Sequence, residues 1–182
     1  MRIAVVLVGI MASPAWADDD ETPHVILEAG GNVRQFAGAG PKSDADVLAR
    51  GAATSTTDTA GLLDVRVGLD LAPNVYVALD NELGMLSFNN EVIESAAVVG
   101  VRASGRRASL GAEVAGGTRV FLYDSPNKVP RDDGGMVGVF ELRVRGEVHL
   151  APYVAAGAVV GTSLVDRGDW MAGLFLAFHN RR

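Results

Sequence analysis

The sequence predicts an all-β fold, an eight-stranded antiparallel up-and-down transmembrane β-barrel. Three observations carry that prediction. Eight segments alternate apolar and polar side chains with period two, the mark of a strand with two unlike faces. Their connections alternate between tight turns ("APN", "SGRR", "AP") and longer or more charged stretches, as in barrels with short turns at one membrane surface and loops at the other. The polar faces hold Arg, Asp, Glu and Gly but no Lys, since both lysines, Lys42 and Lys128, fall between segments.

The chain of 182 residues is one domain long, and its first seventeen residues read as a separate element. "MRIAVVLVGIMASPAWA" sets Arg2 before an apolar stretch, then Pro14, then Ala15 and Ala17 in A-x-A spacing. That is a secretory signal, which makes 1–17 a leader and 18–182 the barrel domain. The absence of cysteine excludes a lipid-modified terminus, disulfides and thiolate metal sites. Export without disulfides suits a Gram-negative envelope. A net charge of −6 argues against nucleic acid as a partner, which calls for a basic patch. After the leader no apolar run is long enough to cross a bilayer as a helix.

The segments span 24–37, 61–72, 74–87, 91–104, 106–123, 135–150, 153–165 and 169–179. The first carries Glu28 and Arg34 on its polar face. In the second, "LLDVRVGLDL", Asp64, Arg66 and Asp70 oppose a run of Leu and Val. The third sets Asp80 and Glu82 against Val77, Leu79 and Leu83, with Asn81 breaking the apolar side. In the fourth, Glu94 and Arg102 oppose Ile93, Ala97 and Val99. The fifth offers Arg107, Glu113 and Arg119, and the sixth Glu141, Arg143, Arg145 and Glu147. The last two hold "PYVAAGAVVG" and "WMAGLFLAF".

The composition of the polar faces decides which way they point. A solvated sheet face favours Lys, Thr, Ser and Gln, whereas Arg suits fixed, paired, partly desolvated sites because its planar fork grips carboxylates at two points. Glycine leaves room for large neighbours in a narrow lumen. The charged face is therefore read as the interior, which eight strands make just wide enough for side chains to fill. Acids and arginines there come in near balance, so the expected role is a structural, charge-paired plug with no continuous ion path. The alternative is a soluble exported barrel, with its apolar faces turned inward around a small lipid or other hydrophobic ligand.

"VGLDLAPNVYVALDNELG" (67–84) and "VRGEVHLAPYVAAGAVVG" (144–161) share a Leu-Ala-Pro turn and read as one hairpin chemistry used twice. With the leader, the eight alternating strands, these hairpins and the final "WMAGLFLAF", the chain resembles the small outer-membrane β-barrel proteins, the opacity-like and OmpA-transmembrane-like porin-family barrels. The resemblance covers essentially the whole mature chain. It implies a cell outer-membrane location and, as partners, outer-membrane lipid and lipopolysaccharide. In that family the chain often ends on an aromatic residue; here Phe178 is followed by "HNRR".

Catalytic and cofactor chemistry finds little support. The three histidines, His24, His149 and His179, all map to the short-turn end; His149 shares the lumen face with Glu147 and could approach Ser109 or Tyr153, but reads first as a polar plug residue or turn neighbour. His24 and His179 read as a pair of exposed terminal residues. "GAGPKS" (38–43) lacks the glycine before lysine and the strand-to-helix context of a phosphate loop. "SDADVLARG" (43–51) could form a short helical turn within a connection. Phe36, Phe88, Tyr123 and Trp170 are expected at the long-loop rim and Tyr76, Tyr153 and Phe178 at the other, with Tyr76 and Tyr153 on lumen parity. No enzyme activity, metal or cofactor is expected. Function falls to the surface segments 38–60, 86–92 and 124–134, in an adhesion-like or structural role toward an extracellular partner that the sequence does not name.

Overall fold

The computed structural model describes residues 24–37, 57–72, 74–85, 91–122, 136–166 and 168–180. Eight strands follow in chain order: β1 (Val25–Ala37), β2 (Thr57–Ala72), β3 (Val75–Met85), β4 (Glu91–Ser104), β5 (Ala108–Leu122), β6 (Met136–Ala151), β7 (Val154–Ser163) and β8 (Trp170–His179). Each is antiparallel to its neighbours, and β1 pairs with β8, so the sheet closes in the order β1 to β8 without a crossover. Closure satisfies the backbone groups that an open edge would leave bare. Below the seam, Val25 N donates to Asn180 Oδ1 at 2.8 Å and Asn180 N to the Val25 carbonyl at 3.1 Å, tying the first and last strands.

The second strand begins at Thr57, before the expected 61, because Ala37 to Val33 of β1 keep pairing with Thr57 to Gly61. Gly61 reads in sequence as punctuation and in the barrel as one more rung. The sequence echo is structural. The β2–β3 ladder shifts register between Asp70 and Ala72, and the β6–β7 ladder between His149 and Ala151, so both hairpins carry a bulge at the leucine of Leu-Ala-Pro.

The period-two pattern sorts the side chains as its two faces require. Outward positions are apolar along most of every strand, Leu63 and Leu174 each being 72% exposed, with Asn81, Ser95 and Thr118 as polar exceptions. Inward positions hold charge together with three apolar clusters. One, of Phe36, Ala60, Leu62, Val92 and Phe121, fills the long-connection end. A second, of Ile26, Ala155, Phe175 and Ala177, lines the β1–β7–β8 wall, and a third, of Ala78, Ala96, Val98 and Ala115, lines β3 to β5. The leader 1–17, the possible turn at 43–51 and "GAGPKS" lie outside the described residues.

Candidate functional site

Register builds the lumen network before any side chain reaches far. Glu28 lies opposite Arg66, Arg66 opposite Asp80, Glu94 opposite Arg119, and Glu113 opposite Arg143. Glu82 and Glu94 also face each other directly, a repulsive pair unless a cation joins them. Arg34 of β1 supplies it. Its Nη2 donates to both Glu82 oxygens at 3.0 Å and to Glu94 Oε1 at 3.2 Å, while Nη1 donates to Glu141 of β6.

Arg119 continues this cluster. Its Nε donates to Glu94 at 2.7 Å, Nη2 to Glu141 at 3.3 Å and Nη1 to Asp169 at 3.4 Å. Arg143 Nε donates to Glu141 at 2.9 Å, and its Nη1 to Asp80. Nearer the short turns a second cluster centres on Glu113. Arg66 grips it at two points, 2.7 and 3.2 Å, and Arg145 Nη1 and the Tyr76 hydroxyl both donate to its Oε1. Arg145 Nη2 reaches Glu28 at 2.8 Å and lies 3.0 Å from Glu147. Two guanidiniums also lie over aromatic rings, Arg119 over Phe36 at 4.6 Å and Arg145 over Phe175 at 4.3 Å.

Of the sixteen charged residues expected inside, Glu28, Arg34, Arg66, Asp80, Glu82, Glu94, Glu113, Arg119, Glu141, Arg143, Arg145 and Glu147 are buried. Asp64, Asp70 and Arg102 are half-buried. Arg107 is not in the lumen; it is exposed in the turn beyond Gly105, since β5 starts only at Ala108. Asp169, just ahead of β8, is buried instead and joins the network. Losing an arginine and gaining a carboxylate turns the expected near balance of signs into an acidic excess.

Other assignments change as well. Phe36 does not sit in a rim girdle: it is wholly buried, facing Phe121 edge-on at 5.6 Å, because it shares the parity of Glu28 and Arg34. Tyr76 points inward as its parity implies, but Tyr153, in the β6–β7 turn, is exposed. Trp170 and Phe178 face outward at opposite rims. Phe88 and Tyr123 lie outside the described residues. The inward Phe121, Phe175, Met171 and Asn32 were not singled out in the sequence, although their parity could have found them.

At the short-turn mouth Asp70 joins His24 to Arg102. His24 and His179 stack at 5.3 Å, and His149 meets His179 edge-on at 6.0 Å. His179 is buried, so the two terminal histidines are not simply exposed. The cavity they border, about 1170 Å³, also takes in Ser104, Ser109 and Glu147. Among the described residues no hydrogen bond joins Ser109 to His149, and no three His, Asp or Glu side chains converge as a metal cage would require.

No protein-family model matches the chain, and neither does any curated protein sequence. Solved structures do. The outer membrane protein OprG of Pseudomonas aeruginosa superposes with a TM-score of 0.60 at 8% identity, covering 88% of this chain and 97% of that one. The fold is that of the small eight-stranded outer-membrane barrels. Neisserial surface protein A matches with a TM-score of 0.53 at 9% identity, over 87% of this chain and 97% of that one. Ail, the attachment invasion locus protein of Yersinia pestis, was solved in complex with the heparin analogue sucrose octasulfate. It matches with a TM-score of 0.52 at 9% identity, over 86% of this chain and 97% of its own. At such identities the likeness lies in strand number, closure and connection order, and residue roles do not transfer.

Proposed function

We propose that the protein is an outer-membrane barrel with a structural and surface-interaction role, non-catalytic, its lumen closed by the arginine–carboxylate network. The observation that carries this reading is the inverted polarity of the wall. A continuous apolar surface faces out, far larger than the patches a soluble monomer exposes. Charged side chains, which are costly to bury unless paired, face in, and most of them are paired. A soluble barrel around a hydrophobic ligand would need the reverse arrangement. Leader cleavage after Ala17 and export belong to the same proposal.

The membrane's own lipids, lipopolysaccharide included, are then the obligatory partners of the outer face. An extracellular partner would meet the surface segments at 38–60, 86–92 and 124–134, which lie outside the described residues except where 57–60 begins β2 and 91–92 begins β4. The crosswise links of Arg34 on β1 to β3, β4 and β6 support the closed-lumen reading.

Electrophoresis of unboiled and boiled membrane fractions tests the location. A band that shifts on boiling and fractionates with the outer membrane is expected; recovery in the soluble periplasm would sink the proposal. In planar lipid bilayers the pure protein should carry no steady current, and removing the central cluster by Arg34→Ala with Glu141→Ala should open one. Steady conductance in the unaltered protein would refute the closed lumen and leave the location standing.

A further inference from the structure

The short-turn mouth holds buried groups that the lumen network leaves unserved. Asp70 and Glu147 each spend one carboxylate oxygen. Asp70 Oδ2 takes both His24 Nδ1 and Arg102, and Glu147 Oε1 meets Arg145 at 3.0 Å. The second oxygens, Asp70 Oδ1 and Glu147 Oε2, are buried and have no hydrogen-bond partner among the described residues. The same holds for the Nε2 atoms of His24 and His179. With Nδ1 donating to Asp70, a neutral His24 ring keeps its lone pair at Nε2, so this atom accepts as well. His179 Nε2 stands 3.8 Å from Glu147 Oε2, too far for a bond between them. His179 and Glu147 are only 7% and 5% exposed, and a buried acceptor without a donor is a standing cost.

Geometry restricts what could relieve that cost. These four residues border one cavity of about 1170 Å³, and no three of them close on a point as a metal ion needs. Acceptors spread around a cavity call for a donor with several N–H arms, and a primary ammonium carries three. Arg106 and Arg107 of the β4–β5 turn, both exposed, border the same cavity and present the planar forks that grip phosphate. Leu150 borders it too and faces outward at 64% exposure, so the cavity runs from the lumen mouth to the edge of the apolar wall.

We propose that this mouth binds the headgroup of an ethanolamine phospholipid. The ammonium settles among Asp70, Glu147 and the His24–His179 pair, the phosphate meets Arg106 and Arg107, and the acyl chains pass Leu150 onto the outer wall. Charge complementarity names the occupant. A simple anion would leave the carboxylate oxygens unserved, and a simple cation would meet the two arginines, whereas a zwitterion answers both. The apolar edge favours a headgroup carried on a lipid over free phosphoethanolamine. The inference rests on the membrane reading above.

Three phospholipids with the same acyl chains separate the parts of this fit. Phosphatidylethanolamine has a phosphate and N–H donors, phosphatidylcholine keeps both charges without an N–H, and phosphatidylglycerol has no ammonium. The mature protein would be folded into vesicles holding all three equally and extracted in mild detergent, and the lipid it retains counted by native mass spectrometry. The heat-dependent gel shift is checked first. Its absence in the unaltered protein would strike the membrane reading and this inference with it; a normal shift without lipid preference strikes this inference alone. One ethanolamine lipid per protein should be retained, favoured roughly tenfold over either of the others. Glu147→Gln and Arg107→Ala should each bring the three lipids close to parity with the gel shift unchanged. Should Glu147→Gln lose the shift, Arg107→Ala decides alone. Equal retention of ethanolamine and choline lipids, or a preference that survives in the folded variants, overturns the site. Displacement of the lipid by an equal concentration of free O-phosphoethanolamine overturns the lipid as its occupant.

Discussion

Tyr76 of β3 lies across Gly100, its register partner on β4, and passes over it to donate its hydroxyl to Glu113 on β5. A Cβ on Gly100 would fall within the Tyr76 ring. The glycine therefore provides the passage through which an aromatic residue from one strand buttresses a carboxylate two strands away. Gly157 does the same for the ring of Phe175.

Gly100→Ala should force the Tyr76 ring out of its place and loosen Glu113, destabilising the barrel by about 1–3 kcal/mol, the usual range for overpacking. Guanidinium unfolding in detergent micelles measures it. Adding Tyr76→Ala should recover most of the strain from the alanine while leaving Glu113 one donor short. An unchanged midpoint in Gly100→Ala would mean that the ring has room elsewhere.

Arg34→Met retains much of the side chain's length and removes the cation that joins Glu82, Glu94 and Glu141. Leaving buried carboxylates uncompensated typically costs about 3–5 kcal/mol. The expected result is a large drop in unfolding midpoint, partly restored when Glu82→Gln removes one of the stranded charges. A drop as large in the double variant as in the single one would show that Arg34 acts by packing.

Leu174→Arg puts a charge on the outer wall of β8, at a position 72% exposed and in the middle of its strand. If that wall meets lipid, the variant should lose about 2–4 kcal/mol when folded in vesicles, the range for Arg at the bilayer midplane. A water-facing wall would tolerate the same change. Folding yield in vesicles, compared with that in detergent, separates the two outcomes.

The fold was legible because its signal repeats. In β6 the run from Phe140 to Leu150 alternates so cleanly that a register slip of one residue would put four charges on the wrong face. Strand ends were harder, since parity needs several residues to establish itself. Phe36 sits second from the end of β1, and an aromatic residue near a rim suits a girdle as well as a plug. Arg107 and Asp169 lie just outside strands, where parity gives no direction and only the path of the turn does. The partners of each lumen charge were illegible for another reason: Arg34 chooses among carboxylates on β3, β4 and β6 by reach across the lumen, and the sequence records neighbours along a strand.

That reach has a consequence for biogenesis. β1 touches β2 and β8 along its backbone, yet every carboxylate that Arg34 binds belongs to neither. No hairpin of β1 with a neighbouring strand supplies these partners, and Glu28 of β1 likewise finds Arg145 only on β6, although Arg145 also has Glu113 and Glu147 within its own β5–β6 hairpin. Until the β1–β8 seam is made, these groups must remain hydrated, so an open sheet lying in lipid would be a high-energy species. On the membrane reading proposed above, such a chain would insert as a nearly complete cylinder whose water leaves last.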